Sequence, residues 1–169
     1  PFIEQHKARL ACGGVVISDS SMFAPGIPSI LSSLRGLAYF EINVRGPSSD
    51  LHSGSYGGAV VNPAMALARI LATFHDVNGH VAIPGFYDRV RPISDAERRV
   101  LRESPFDEAG FLDAAGVKVP VGEKGYSTVE RKGARPCLDV NGIWGGYQGE
   151  GSKTIIPKEA FAKISMRLV

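Results

Sequence analysis

Two segments of the chain alternate strictly between apolar and polar side chains. The first runs from Leu37 to Arg45, and the second runs from Ala160 to Leu168 at the end of the chain. Successive side chains of a strand point to opposite faces, so this alternation predicts two strands that each have one packed and one wet face. The packed faces comprise Ala38, Phe40, Ile42 and Val44 in the first strand, and Ala160, Ala162, Ile164, Met166 and Leu168 in the second.

A helix is predicted to cover the packed face. Asn62 is a suitable N-cap, and Pro63 suits the first helical position. The apolar stripe that follows has helical spacing and is predicted to fade near Asn78 and Gly79. A further strand is predicted from Cys137 to Trp144. The order of elements predicts an α+β domain, in which an antiparallel sheet carries helices on one face.

The beginning of the chain has a different pattern. The unbroken apolar run from Ala11 to Ile17 is typical of a strand buried on both faces in a parallel α/β sheet. Asp19 follows it at the carboxyl end, where such sheets bind ligands, although the residue pattern alone favours a turn aspartate. Proline and glycine between Ser20 and Arg35 indicate a linker. We therefore predict a remnant of one domain over residues 1–35 and a second domain over residues 36–169.

The middle of the chain, from Val81 to Gly125, has little apolar patterning and is predicted to be a surface insertion without an assigned role. A short helix is predicted from Ser94 to Glu103, with Ser94 and Glu97 forming a capping box. A second helix is predicted from Asp107 to Ala115.

Composition excludes several classes of function. Nineteen basic and seventeen acidic residues give a net charge of +2, too weak a field to indicate a nucleic-acid or membrane-surface partner. No apolar run approaches the length of a membrane span. Cys12 and Cys137 lack the spacing of a metal site or a disulfide framework, which favours a reducing cytoplasm.

Two common catalytic motifs are rejected. The loop from Gly146 to Thr154 resembles a phosphate-binding loop, but its serine precedes its lysine, and Pro157 follows instead of a helix. The stretch from His52 to Gly57 lacks the spacing of a serine-hydrolase elbow. Of the four histidines, His52 alone lies in a glycine-rich loop beside an acidic residue. The residues by themselves leave catalytic and surface roles for His52 about equally favoured.

Several motifs in a fixed order resemble the carnosinase-like dipeptidases, which belong to the aminoacylase and glutamate-carboxypeptidase group of co-catalytic zinc peptidases. These are Ile17-Ser18-Asp19, Gly36, Asp50-Leu51-His52-Ser53-Gly54, Gly57-Gly58, Asn62-Pro63, Gly151-Ser152-Lys153-Thr154-Ile155-Ile156-Pro157 and Ser165-Met166-Arg167-Leu168-Val169. The resemblance implies that residues 36–169 are the ferredoxin-like β-α-β lid, which mediates homodimerisation. It also implies a dipeptide or short-peptide substrate and two zinc or manganese ions in the complete enzyme.

The resemblance also implies roles for four residues. Asp19 matches a metal ligand of the catalytic domain. His52 matches a lid histidine that reaches the partner subunit's active site and stabilises the oxyanion of the cleaved amide. Thr154 and Arg167 match substrate-binding positions, and a guanidinium suits a terminal carboxylate because it can bind it bidentately.

The family's other metal-binding motifs are missing from this chain. These are the His-x-Asp ligands, the paired glutamates with the general base, and the distal histidine. We therefore expect a lid truncated at its C-terminus, inactive alone and without a tight metal site. Two alternatives remain: a non-catalytic dimerisation or binding module related to these peptidases, and an unrelated α+β ligand-binding domain.

Overall fold

The computed structural model describes residues 1–16, 22–31 and 33–169. The chain forms two compact units, Pro1–Leu34 and Arg35–Val169. Asp19 lies outside the described residues, and so does part of the predicted first strand.

The first unit contains little regular structure in the residues described. Helix α1 (Phe2–Gln5) is followed by irregular chain and by an isolated antiparallel bridge between Ala24 and Ile27. The predicted buried strand is wrong for residues 11–16, which form no strand, and Val15 and Val16 are 77% and 93% exposed. A strand of a parallel sheet needs neighbouring strands to bond its backbone, and the described part of this unit contains none.

A three-stranded antiparallel sheet organises the second unit. Strands β1 (Gly36–Arg45), β3 (Cys137–Gly145) and β5 (Glu159–Leu168) are arranged in the order β1-β5-β3. The two alternating segments are therefore neighbours, with a continuous register from Gly36 opposite Leu168 to Arg45 opposite Glu159. The predicted antiparallel sheet is confirmed.

One helix, α3 (Pro63–Ala72), covers the apolar face of the sheet. Its Leu67 is buried against Ala160 and Ala162 of the central strand. A second cluster joins Ile164 to Leu138 of β3 and to Val81. Phe40 was expected on the packed face but is 54% exposed, because it lies on the edge strand β1, where packing is incomplete.

Helix α3 begins at its predicted cap, since Asn62 Oδ1 accepts hydrogen bonds from the backbone N–H groups of Ala64 and Met65. It ends at Ala72 and not near Asn78 as predicted. A tight turn replaces the expected last turns of the helix, because Asp76 Oδ1 accepts from the N–H groups of Asn78 and His80.

Two short helices lie in the insertion, α4 (Asp95–Glu103) and α5 (Glu108–Ala114), and a third, α6 (Thr128–Gly133), follows it. The predicted capping box of Ser94 and Glu97 is confirmed, and the predicted second helix forms with Asp107 as its N-cap. Arg98 of α4 forms a 3.2 Å ion pair with the buried Glu130 of α6, which joins two of the helices.

Among the described residues, no helix is both long and apolar enough to cross a membrane.

Candidate functional site

The pairing of β1 with β5 continues beyond the end of the main sheet as a narrow two-stranded ribbon. Gly46 N donates to Lys158 O at 2.8 Å immediately after the last pair of the sheet. Strand β2 (Leu51–His52) then pairs with β4 (Ile155–Ile156), and Ser53 N donates to Thr154 O at 2.8 Å. The ribbon therefore contains residues 46–53 and 154–158, of which Ile156 is buried, whereas His52 and Thr154 are exposed.

Asp50 links the two segments of this ribbon where they form no strand pairs. Pro47 to Asp50 form no strand, so the local ladder is interrupted between Gly46 and Leu51. Asp50 Oδ1 accepts a 2.9 Å hydrogen bond from Lys158 N, which would otherwise lack a ladder partner. The carboxylate thereby joins the two segments of the ribbon two residues before His52.

His52 and Thr154 face each other at the tip of the ribbon. His52 Nε2 lies 3.3 Å from Thr154 Oγ1, and both residues are exposed. Helix α2 (Ser53–Tyr56) starts directly after His52, and the glycine-rich loop from Gly145 to Lys153 leads into Thr154. An exposed imidazole held by a hydroxyl is free to donate a hydrogen bond to, or accept one from, a group supplied from outside the domain.

Arg167 is far from this pair. It lies near the opposite end of β5, where it pairs with Leu37 of β1 and Cys137 of β3. Its side chain is on the exposed face of the sheet, as the alternation predicted. Strand β5 has 10 residues. At about 3.4 Å per residue its ends lie roughly 30 Å apart, and His52 lies beyond the other end.

The described residues do not supply a metal site. Within residues 1–16, 22–31 and 33–169, no group of three or more histidine, cysteine, aspartate and glutamate side chains is placed to hold an ion. Structural and catalytic zinc sites need at least three protein ligands, so the donor set of this part of the chain does not fit one.

Comparison with known families identifies the domain. The family described as peptidase dimerisation domain (M20_dimer) matches residues 32–169, most of the chain. The chain belongs to the M20 peptidase dimerisation domain family. This confirms the resemblance inferred from the ordered motifs.

Relatives of the dimerisation domain are dipeptidases. The chain is 34% identical over 166 residues to the Cys-Gly metallodipeptidase dug1 of Schizosaccharomyces pombe, covering 98% of this chain and 34% of that protein. It is 30% identical over 170 residues to the human Beta-Ala-His dipeptidase, covering 99% of this chain and 34% of that protein. The chain thus spans about a third of the length of these curated relatives.

Solved structures have the same fold. The M20 family metallo-carboxypeptidase Sso-CP2 from Sulfolobus solfataricus superposes with a TM-score of 0.82 at 35% identity, covering 99% of this chain and 44% of that one. The dipeptidase Dug1p from Saccharomyces cerevisiae superposes with a TM-score of 0.70 at 32% identity, covering 80% of this chain and 28% of that one.

The dimerisation domain also contains a partly buried polar cluster that sequence reasoning missed. Glu123 contacts Arg135 at 2.6 Å and His80 Nδ1 at 2.8 Å, and Arg135 stacks over the rings of Tyr87 and Tyr126. Burial acts to raise the pKa of Glu123, but the hydrogen bonds from Arg135 and His80 outweigh it and hold the pKa below its usual value. No spacing in the sequence predicts a contact between Glu123 and Arg135, because Glu123 lies in the unpatterned insertion and Arg135 lies beyond α6.

Two open clefts of about 410 and 450 Å³ lie beside the insertion of the dimerisation domain. The first is lined mainly by apolar residues around α5, and the second by residues that include Glu123 and Arg135. Neither includes His52, Thr154 or Arg167. His52, Thr154 and Arg167 are all exposed.

Proposed function

We propose that this domain is the lid of a homodimeric metallodipeptidase, and that it contributes His52 and Thr154 to the active site of the other subunit. The observation that supports this most directly is the exposed contact between His52 Nε2 and Thr154 Oγ1, at the end of the ribbon formed by β2 and β4. The family and the dipeptidase relatives support the reaction class.

The imidazole of His52 suits the role of an oxyanion donor. When water attacks an amide, negative charge develops on the carbonyl oxygen, and a fixed N–H directed at that oxygen lowers the barrier. Removing one such donor typically costs about 10²–10³ in kcat. Thr154 restrains the imidazole through its hydroxyl and offers a second polar group to the substrate.

Arg167 is proposed to bind the terminal carboxylate of the substrate, since a guanidinium can bind a carboxylate with two parallel hydrogen bonds. A fully extended dipeptide spans only about 7 Å. It cannot reach both Arg167 and His52 of one subunit, which lie near and beyond opposite ends of the ten-residue strand β5. We therefore propose that the two residues of one subunit serve two different active sites of the dimer.

In this proposal, the described residues of this domain do not bind the metal ions. We place the two zinc or manganese ions on residues outside those described, with Asp19 as one ligand on the basis of the family resemblance alone. The lid's own contribution is limited to donating, positioning and binding side chains. A cytoplasmic location is proposed because Cys12 and Cys137 are both free thiols.

Mixed dimers of the complete enzyme test the proposal. His52→Ala and Arg167→Ala dimers are each expected to lose most activity. After subunit exchange, each mixed dimer has one active site that receives both an intact Arg167 and the other subunit's His52. Turnover should recover to about a quarter of the wild-type value, because random exchange makes half of the dimers mixed.

Two outcomes would overturn the proposal. No recovery, with exchange verified by native mass spectrometry, would place both residues in one site. Near-normal turnover of the His52→Ala enzyme, with unchanged metal content, would remove the catalytic role of His52.

A further inference from the structure

The imidazole of His52 lies directly against the backbone of Gly54. A Cβ atom at Gly54 would be 2.7 Å from His52 Cε1 and 3.0 Å from His52 Nδ1, well inside van der Waals contact. The space that a side chain would occupy is therefore filled by the ring that contacts Thr154. Since the backbone of Gly54 is outside the left-handed region, its own conformation does not require glycine.

We propose that Gly54 is a positioning residue for catalysis: its missing side chain leaves room for the imidazole of His52 in the orientation that directs Nε2 to Thr154. This inference rests on the proposed function, because it assumes that the imidazole acts on substrate. It assigns to Gly54 a role that is separate from folding.

Neighbouring glycines differ from Gly54 in this respect. A Cβ at Gly57 would collide with the carbonyl oxygen of Ser53, so alanine there disrupts the backbone of α2. Gly58 has a φ of 79° with open space around it, so its glycine is required by backbone conformation. Of these three glycines, Gly54 is the one whose added side chain would meet the catalytic imidazole.

An alanine at position 54 should displace the ring and leave the fold intact. His52 is exposed, and its imidazole is the far end of a side chain that can rotate about two bonds, so the ring yields before the backbone does. Gly54 is within α2, where alanine has a higher helix propensity than glycine. The stability of the variant should therefore be unchanged or slightly higher.

The matched control is Gly133→Ala. Gly133 is also helical, at the end of α6, and a Cβ there meets nothing within 4 Å. Both variants add one methyl group to a short helix, but Gly54→Ala alone places it against His52. Any difference between them reports the effect on the imidazole.

Kinetics of the complete dipeptidase form the first arm of the test. Gly54→Ala should lower kcat roughly 10- to 100-fold with a nearly unchanged KM, because a displaced donor loses its alignment with the transition state. Gly133→Ala should behave like the wild type. In the 169-residue chain, NMR should show that Gly54→Ala abolishes the nuclear Overhauser contact between the His52 ring and the Thr154 methyl group, at an equal or higher melting temperature.

A double-mutant cycle separates this inference from the proposed function. If Gly54 acts through His52, then His52→Ala/Gly54→Ala should be no slower than His52→Ala alone. A normal kcat for His52→Ala would defeat the proposed function itself. If His52→Ala is slow, the role of Gly54 is refuted by a wild-type kcat in Gly54→Ala, or by a further loss when the two substitutions are combined.

Discussion

Thr154 Oγ1 lies 3.3 Å from His52 Nε2, although 102 residues separate the two along the chain. The pairing of β2 with β4 brings them together, in continuation of the pairing of β1 with β5. Strand pairing therefore determines the geometry of the proposed site. Four further predictions test how this geometry and the fold beneath it are maintained.

The hydroxyl of Thr154 is expected to contribute to turnover by restraining His52. Thr154→Val keeps the branched shape and removes the hydrogen bond, which is worth about 1 kcal/mol, so kcat of the complete enzyme should fall roughly fivefold or more. Thr154→Ser keeps the hydroxyl and should retain most of the activity. Steady-state kinetics of both variants measure the difference, and equal rates for the two would contradict the restraining role.

Asp50 is expected to hold the ribbon closed through its bond to Lys158 N. Asp50→Ala removes the acceptor, so the amide hydrogen of Lys158 should exchange faster with solvent, and kcat should fall severalfold. Asp50→Asn retains a side-chain oxygen at the same place and should largely preserve both. Hydrogen exchange followed by NMR is the direct measurement. Unchanged protection of Lys158 in Asp50→Ala would show that the backbone ladder alone is sufficient.

Glu123 is expected to make stability dependent on pH. Its folded pKa lies below the ordinary value of 4.5, so the unfolded chain binds its proton more readily than the native one. The stabilisation is complete well above about pH 4.5 and is lost as the pH falls through the folded pKa.

Glu123→Gln removes this contribution and leaves Arg135, only 7% exposed, without its counter-charge. The loss at neutral pH should be on the order of 3 kcal/mol. Urea unfolding of both proteins at neutral and acidic pH checks this, since their difference in stability should shrink towards low pH. If the difference in stability between the two proteins were the same at both pH values, the Glu123 carboxylate would not be a source of pH-dependent stability.

Asn62 is expected to stabilise α3 without affecting the site. Asn62→Ala removes the acceptor for two backbone N–H groups and should cost about 1 kcal/mol, whereas Asn62→Ser should restore most of it. The midpoint of chemical unfolding measures both effects. An unchanged midpoint in Asn62→Ala would mean that Pro63 and the packing of Leu67 alone hold the start of the helix.

Features determined by neighbouring residues were predictable from the sequence. The alternation placed β1 and β5 within one residue of their observed ends, and the predicted capping residues Asn62 and Ser94 both begin helices. These predictions succeeded because side-chain alternation and capping depend on contacts between residues close in sequence. The ordered motifs also identified the family, which residue chemistry alone left open.

Features that depend on distant partners were not predictable in the same way. The apolar run at residues 11–16 has the composition of a buried strand but forms none, because a strand requires neighbours that the described part of its unit lacks. Helix α3 ends early because Asp76 stabilises a turn. The Glu123 cluster joins one side chain of the unpatterned insertion to His80, which precedes the insertion, and to Arg135, which follows it.

The sequence by itself determined the strand alternation, the helix caps and the motif around His52. Only the tertiary structure decided that His52 meets Thr154, that its imidazole occupies the space left by Gly54, and that Arg167 and His52 lie at opposite ends of the β5 pairing. The physical reason is that alternation determines which face a side chain occupies, whereas strand register determines which distant residues meet.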